Sequence, residues 1–258
     1  MKSKITVVKV GGAVVEDPAS LSLLLDSVAK LPGSAVLVHG GGRSATALAR
    51  RLGIEPVMID GRRVTDSQML EVVTMVYGGL VNKNIVAQLQ SRGINAIGLT
   101  GADMNLIVSD MRPKQPIDFG FVGDVRKVNA GALDVLVANG YFPVVAPLTH
   151  DGKGNILNTN ADTIAASVAL GLAENHDVTL VYCFEMDGVL ADASDPASVI
   201  SDITPESYKG LKETGVVSGG MIPKLDNAFA ALDGGVSKVV ITSAKALGIP
   251  GKGTSITK

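Results

Sequence analysis

ITVVKVGG, residues Ile5–Gly12, decides how the chain is read. Ile5–Val10 is a continuous β-branched run rather than an alternating one, as expected of a strand covered on both faces. It ends on a lysine and two glycines, where strand gives way to loop. Similar runs recur at Ala35–Val38, Ile94–Leu99, Leu106–Val108, Val144–Ala146, Val178–Cys183 and Lys238–Thr242. Between them lie helical patterns. Leu21, Leu24, Leu25, Val28 and Leu31 form an i, i+3, i+4, i+7 stripe, with Pro18 as a start and Pro32-Gly33 as a stop. Asp66–Arg92 reads as one long helix, with Gly78-Gly79 as the place where it would break. Ala45–Leu52, Ala161–Leu172, Pro205–Thr214 and Met221–Leu232 are further helices. Strand and helix alternate, which predicts an α/β fold with a mainly parallel sheet and helices on both faces. The proline-rich stretch Asp110–Gly123 reads as an excursion from that sheet, such as a hairpin. A division is placed near Gly171–Asn175, giving lobes at residues 1–173 and 174–258.

The totals exclude several classes. Of 258 residues, 46% are apolar and 19% charged, a globular balance. A net charge of −2 gives no electrostatic reason for a nucleic-acid partner, and 3% aromatics with no Trp argues against base stacking. The single Cys183 cannot form an internal disulfide, which fits a reducing cytosol. Its place at the end of an apolar run indicates core packing rather than thiol chemistry. Ile5–Val8 is too short for a signal peptide core and no run approaches a membrane span, so a soluble protein is expected.

Three junctions carry groups suited to phosphate: VVKVGG (Val7–Gly12), VHGGGRS (Val38–Ser44) and GGMIPK (Gly219–Lys224). Glycines let the backbone approach an anion, helix starts offer free N–H groups, and lysine adds a mobile charge. The spacing is not that of a Walker A loop, and Gly40–Gly42 lacks the third spaced glycine of a dinucleotide fingerprint. His39 reads as structural sooner than catalytic. Arg62 and Arg63 suit bidentate carboxylate capture, although a solvated basic loop would look the same. Asn160 is placed to cap a helix with Asp162 in its first turn, and capping alone would explain both. Lys224 in a first helical turn opposes the helix dipole, which points to an anion nearby.

Taken in order, these segments resemble the amino acid kinase family over nearly the whole chain. The matching pieces are VVKVGG, VHGGG, DGRRVT (Asp60–Thr65), the glycine segment Ala96–Asp103, NGYFPVVAP (Asn139–Pro147), NTNAD (Asn158–Asp162), MDGVL (Met186–Leu190), SGGMIPK (Ser218–Lys224) and GTSI (Gly253–Ile256). The nearest branch is the one that phosphorylates N-acetyl-L-glutamate. The resemblance implies a three-layer αβα sandwich around a mainly parallel open sheet. It implies a first lobe for the acyl-amino acid and dimerisation, and a second for nucleotide. The implied reaction is transfer from ATP to the γ-carboxylate, in arginine biosynthesis in the cytoplasm, with Mg²⁺ carried by the nucleotide and no metal ligand from the chain.

By the same resemblance, Lys9 and Lys224 stabilise the transferring phosphoryl group and Asp162 holds them. Gly41 and Gly42 contact the acyl-amino acid, Arg63 its α-carboxylate and Asn158 its other polar groups. Gly11 and Gly12 face the nucleotide phosphates. Glu185, Met186, Asp187, Gly188, Val189 and Leu190, with Val216, Val217 and Ser218, border the nucleotide. The chemistry agrees: a glutamate side chain is ionised at neutral pH, so the acceptor needs charge cancellation and positioning rather than a general base.

Where the family usually has a Ser/Thr-Asp pair, this chain has Phe184-Glu185, and donor preference could differ accordingly. Arginine-regulated members carry an extra helix before the first strand. Here that strand begins by about Ile5, so a homodimer not inhibited by arginine is expected. Carbamate, aspartate, glutamate and uridylate kinases share the implied scaffold, and an N-succinylglutamate-preferring enzyme remains open. A catalytically silent sensor and an NAD-dependent dehydrogenase are the readings from other classes.

Overall fold

The computed structural model describes residues 2–192, 194–219 and 221–258. Its strands are β1 (Lys4–Val10), β2 (Ser34–His39), β3 (Met58–Ile59), β4 (Arg62–Arg63), β5 (Ala96–Leu99), β6 (Ile107–Met111) and β7 (Gly123–Val128). They continue with β8 (Phe142–Val145), β9 (Leu148–His150), β10 (Ile156–Asn158), β11 (Asp177–Phe184), β12 (Asp202–Ile203), β13 (Lys238–Ser243) and β14 (Thr254–Ile256). The helices are α1 (Gly12–Glu16), α2 (Pro18–Val28), α3 (Gly42–Arg51), α4 (Ser67–Val73), α5 (Asn82–Gln90) and α6 (Ala130–Ala138). After them come α7 (Ala161–Ala173), α8 (Pro205–Glu213) and α9 (Met221–Asp233).

The central sheet has the order β12-β14-β13-β11-β1-β2-β8-β5. From β13 to β5 every pairing is parallel, and β14 runs antiparallel to β13. Successive strand residues point to opposite faces. Ile5 and Val7 therefore join Leu180, Tyr182 and the apolar sides of α7 and α9 in one core, while Val8 and Val10 join Leu37, Val181, Cys183 and α2 to α5 in a second. Two cores, one per face, explain why the runs are continuous. The result is a three-layer αβα sandwich around a mainly parallel open sheet. The sheet is unbroken between residues 173 and 174, since β11 pairs directly with β1.

Two expectations are corrected. Leu106–Val108 opens β6, which belongs to a separate four-stranded sheet ordered β10-β9-β6-β7 rather than to the central one. Asp110–Gly123 bridges β6 and β7, which pair antiparallel as a hairpin does. The Asp66–Arg92 helix does not break at Gly78-Gly79; α4 passes into α5 through a π-helical segment, Thr74–Val81. Gly78 packs closely there, since a Cβ would sit 3.4 Å from the Leu148 side chain, at the edge of van der Waals contact. Among the described residues, no helix is long and apolar enough to cross a membrane.

Candidate active site

Lys9 occupies the same face of β1 as Val7, at the strand's C-terminal end, and is only 6% exposed. That face packs on α7, whose first turn holds Asp162. Lys9 Nζ and Asp162 Oδ1 meet at 2.7 Å. Asn160 is the α7 N-cap: its Oδ1 accepts from the N–H groups of Asp162 (2.8 Å) and Thr163 (3.1 Å). Capping thus accounts for Asn160 but not for the ion pair made by Asp162. Lys224 enters from the first turn of α9, and Tyr208 of α8 anchors this helix by donating its hydroxyl to Asp226 at 2.7 Å. Burial lowers the pKa of Lys224; Asp162 opposes that shift and the charge of Lys9 adds to it. Two cations around one carboxylate leave net positive charge, so the cluster is built to receive an anion.

The glycine loops pack against each other because β1 and β2 are neighbours in register, Val10 opposite His39. A Cβ on Gly40 would lie 3.2 Å from Gly12 N. Gly41 has φ +155, and a side chain there would press on the Tyr77 ring at 3.2 Å. His39 is fully buried, with Nδ1 at 2.7 Å from the Gly40 carbonyl oxygen and Nε2 at 3.2 Å from Asn82 Nδ2. Burial holds its pKa down to about 4, so the ring is neutral; Nδ1 then donates to Gly40 and Nε2 accepts from Asn82. This is a structural histidine that pins the loop. Cys183 is buried in the core beneath the sheet, its thiol pushed up to about 12 by burial, and is inert at neutral pH.

A cavity of about 630 Å³ opens beside these loops. Gly41, Gly42, Arg63, Asn158, Asp162 and Lys224, six residues singled out in the sequence, all line it. Arg63 is buried and its Nη2 donates to Gly42 O and to Thr46 Oγ1, each at 2.9 Å. These are neutral acceptors, and a buried guanidinium with only neutral partners is a strong site for a carboxylate. Asn158 Nδ2 donates to Thr65 Oγ1 at 2.9 Å, which fixes its amide at the wall. Sequence reasoning had not assigned Tyr77 and Arg112 to the site; Arg112 also lines the cavity, paired with Asp124. Arg112 lies in the β6–β7 excursion, and nothing in its local sequence marks it.

A second cavity of about 180 Å³ is lined by Phe184, Glu185, Met186, Gly188, Met221, Lys224 and Ile241. Lys224 borders both cavities. Of the remaining residues expected at the nucleotide, Asp187 accepts from the Ser243 hydroxyl, and Val189 and Val217 are buried in the core. Leu190 forms a bridge with Val199, while Val216 is partly exposed; neither these two nor Ser218 lines this cavity. The Gly11 N–H donates to Cys183 O at 3.1 Å and so is already engaged. Gly220 of the SGGMIPK segment lies outside the described residues.

The model of the amino acid kinase family matches residues 4–243. The acetylglutamate kinase of Phocaeicola vulgatus is 61% identical over 258 residues, covering 100% of both chains. A structure of N-acetylglutamate synthase from Neisseria gonorrhoeae, complexed with coenzyme A and N-acetyl-glutamate, superposes with TM-score 0.81 at 26% identity, over 100% of this chain and 60% of that one. Carbamate kinase from Giardia lamblia bound to AMP-PNP gives TM-score 0.70 at 15% identity, over 99% of each chain, a likeness of fold.

Proposed function

The chain belongs to the amino acid kinase family, and from that premise we propose that its site performs ATP-dependent phosphorylation of the γ-carboxylate of N-acetyl-L-glutamate, the kinase step of arginine biosynthesis. The observation that carries this reading is the meeting of two cavities at Lys224, with the Lys9–Asp162 pair at the join. The acyl-amino acid takes the larger cavity. Its α-carboxylate pairs with Arg63, Asn158 receives its amide, and Gly41 and Gly42 leave room for its backbone-like part. The nucleotide takes the smaller cavity, bordered by Glu185, Met186 and Gly188, with Asp187, Val189, Leu190 and Val216–Ser218 supporting its outer walls.

The acceptor is an anion at neutral pH and needs no base to activate it. The barrier lies in bringing that carboxylate against a γ-phosphate in line. Lys9 and Lys224 offset this repulsion, and Asp162 keeps Lys9 aimed. Gly12 offers its N–H toward the phosphates, and Gly11 a surface without a Cβ. Among the described residues, no group of three His, Cys, Asp or Glu side chains is arranged to hold a metal. Magnesium would enter bound to the nucleotide phosphates, where it would supply further charge neutralisation.

In this reading residues 1–173 form the acyl-amino-acid part and 174–258 the nucleotide part of one continuous sheet. We also propose a cytoplasmic homodimer joined through the first part, where Met75 and Leu80 are exposed apolar side chains. Trapping of the product as hydroxamate, with N-acetylglutamate, free glutamate and aspartate in parallel, tests the function. Turnover of N-acetylglutamate alone is expected; turnover of a free amino acid in its place contradicts the reading. Sedimentation at micromolar concentration tests the dimer, and a monomer there excludes it.

A further inference from the structure

Phe184 closes β11, one residue beyond the register in which Lys9 faces Tyr182 and Val10 faces Cys183. Alternation puts Leu180, Tyr182 and Phe184 on the face that Lys9 shares. The Phe184 ring lies against Gly11, where an added Cβ would come within 3.7 Å of Cδ1. It stacks on Tyr182 with centroids 6.2 Å apart and planes 10° from parallel, and Tyr182 is itself buried in the core. The ring is therefore fixed in position and in tilt.

Both lysines of the cluster lie over that ring. Lys9 Nζ is 5.0 Å from its centroid and Lys224 Nζ is 4.0 Å. Distances within about 6 Å bring an ammonium under the attraction of the ring's negative face. Asp162 makes its ion pair with Lys9, leaving Lys224 half-buried beside a like charge. A carboxylate at position 184 would hold Lys224 but would also repel the phosphates. An aromatic face attracts the cations and carries no net charge.

We propose that Phe184 is a positioning residue that holds Lys9 and Lys224 convergent on the transferring phosphoryl group through cation–π contact with both. The inference rests on the functional reading above. It assigns to the aromatic ring a duty distinct from filling the nucleotide cavity, which an aliphatic side chain of similar bulk would also do.

Two measurements test it. The first needs no substrate: in the NMR spectrum of the free protein, the ε-methylene protons of Lys224 should be shifted upfield by the ring, and Phe184→Leu should return them to the ordinary lysine range. The second replaces Phe184 with 4-fluoro-, 3,5-difluoro- and 3,4,5-trifluorophenylalanine, which nearly keep the shape and progressively weaken the face. The kcat should fall stepwise, by about 5-fold at the trifluoro ring, and about 10-fold in Phe184→Leu. KM for N-acetylglutamate should stay within about 2-fold, and Phe184→Tyr should restore the rate. A kcat that is flat across the fluorinated series, or ε-protons with no ring shift, overturns the inference and leaves the functional reading intact. A parent protein that forms no acyl phosphate overturns that reading, and this inference with it.

Discussion

Lys9 and Asp162 stand 153 positions apart in sequence and 2.7 Å apart in space, the first at the end of a central strand and the second in the first turn of the helix packed on it. Their side chains are 8% and 26% exposed, so the pair is held in a region of reduced screening. Asp162→Asn preserves shape while removing the charge that orients Lys9. The expected result is a fall of roughly 10² in kcat, with a lower Tm because Lys9 loses its buried counter-charge. A kcat within a few-fold of the parent would show that the pair is only structural.

Arg63→Lys keeps the charge and removes the planar fork, of which Nη2 alone donates to both Gly42 O and Thr46 Oγ1. Steady-state kinetics should show KM for N-acetylglutamate raised by about 10-fold or more, with KM for ATP unchanged. Equal rises in both constants would move Arg63 out of the acyl-amino-acid pocket.

His39 ties acid stability to the glycine loop. Its folded pKa is depressed to about 4 against an ordinary value of 6.5, so the unfolded chain binds the extra proton between those limits. Stability is complete above about pH 6.5 and falls as the pH drops toward 4, by about 3 kcal/mol in all. Denaturant melts across that window should show the slope, and His39→Gln should remove this contribution to it. An unchanged slope would mean that His39 does not titrate between the two states in this window.

Gly41→Ala meets both a positive φ and the Tyr77 ring, and should cost about 1–3 kcal/mol in thermal unfolding while raising KM for N-acetylglutamate. Gly210→Ala, in α8 with nothing within 4 Å, should instead gain about 0.5–1 kcal/mol. The opposite order would contradict the crowding at the second glycine loop.

Strands β1, β2, β5, β8, β11 and β13 of the central layer were legible because each is a continuous apolar run, and a two-sided core leaves no other use for such a run. Lys9, Asp162 and Lys224 were legible as members of ordered motifs. β9, β10 and β12 were not: each has two or three residues, too few to show a period. β6 was legible as a strand but not as a member of another sheet, since pairing partners leave no local trace. Arg112 reaches the larger cavity only because β6 and β7 fold back over it, and the contact of Phe184 with both lysines exists only once β11 lies beside β1. The neutral state of His39 likewise depends on its burial in the folded chain, where Nε2 meets Asn82, 43 positions away.

The central claim is that phosphoryl transfer occurs where the two cavities share Lys224. The measurement closest to it is the rate of a single turnover by Lys224→Ala, with the dissociation constants of ATP and N-acetylglutamate determined alongside. The account predicts a rate lower by about 10²–10³ with both substrates still bound within a few-fold of the parent. A near-normal rate would contradict it.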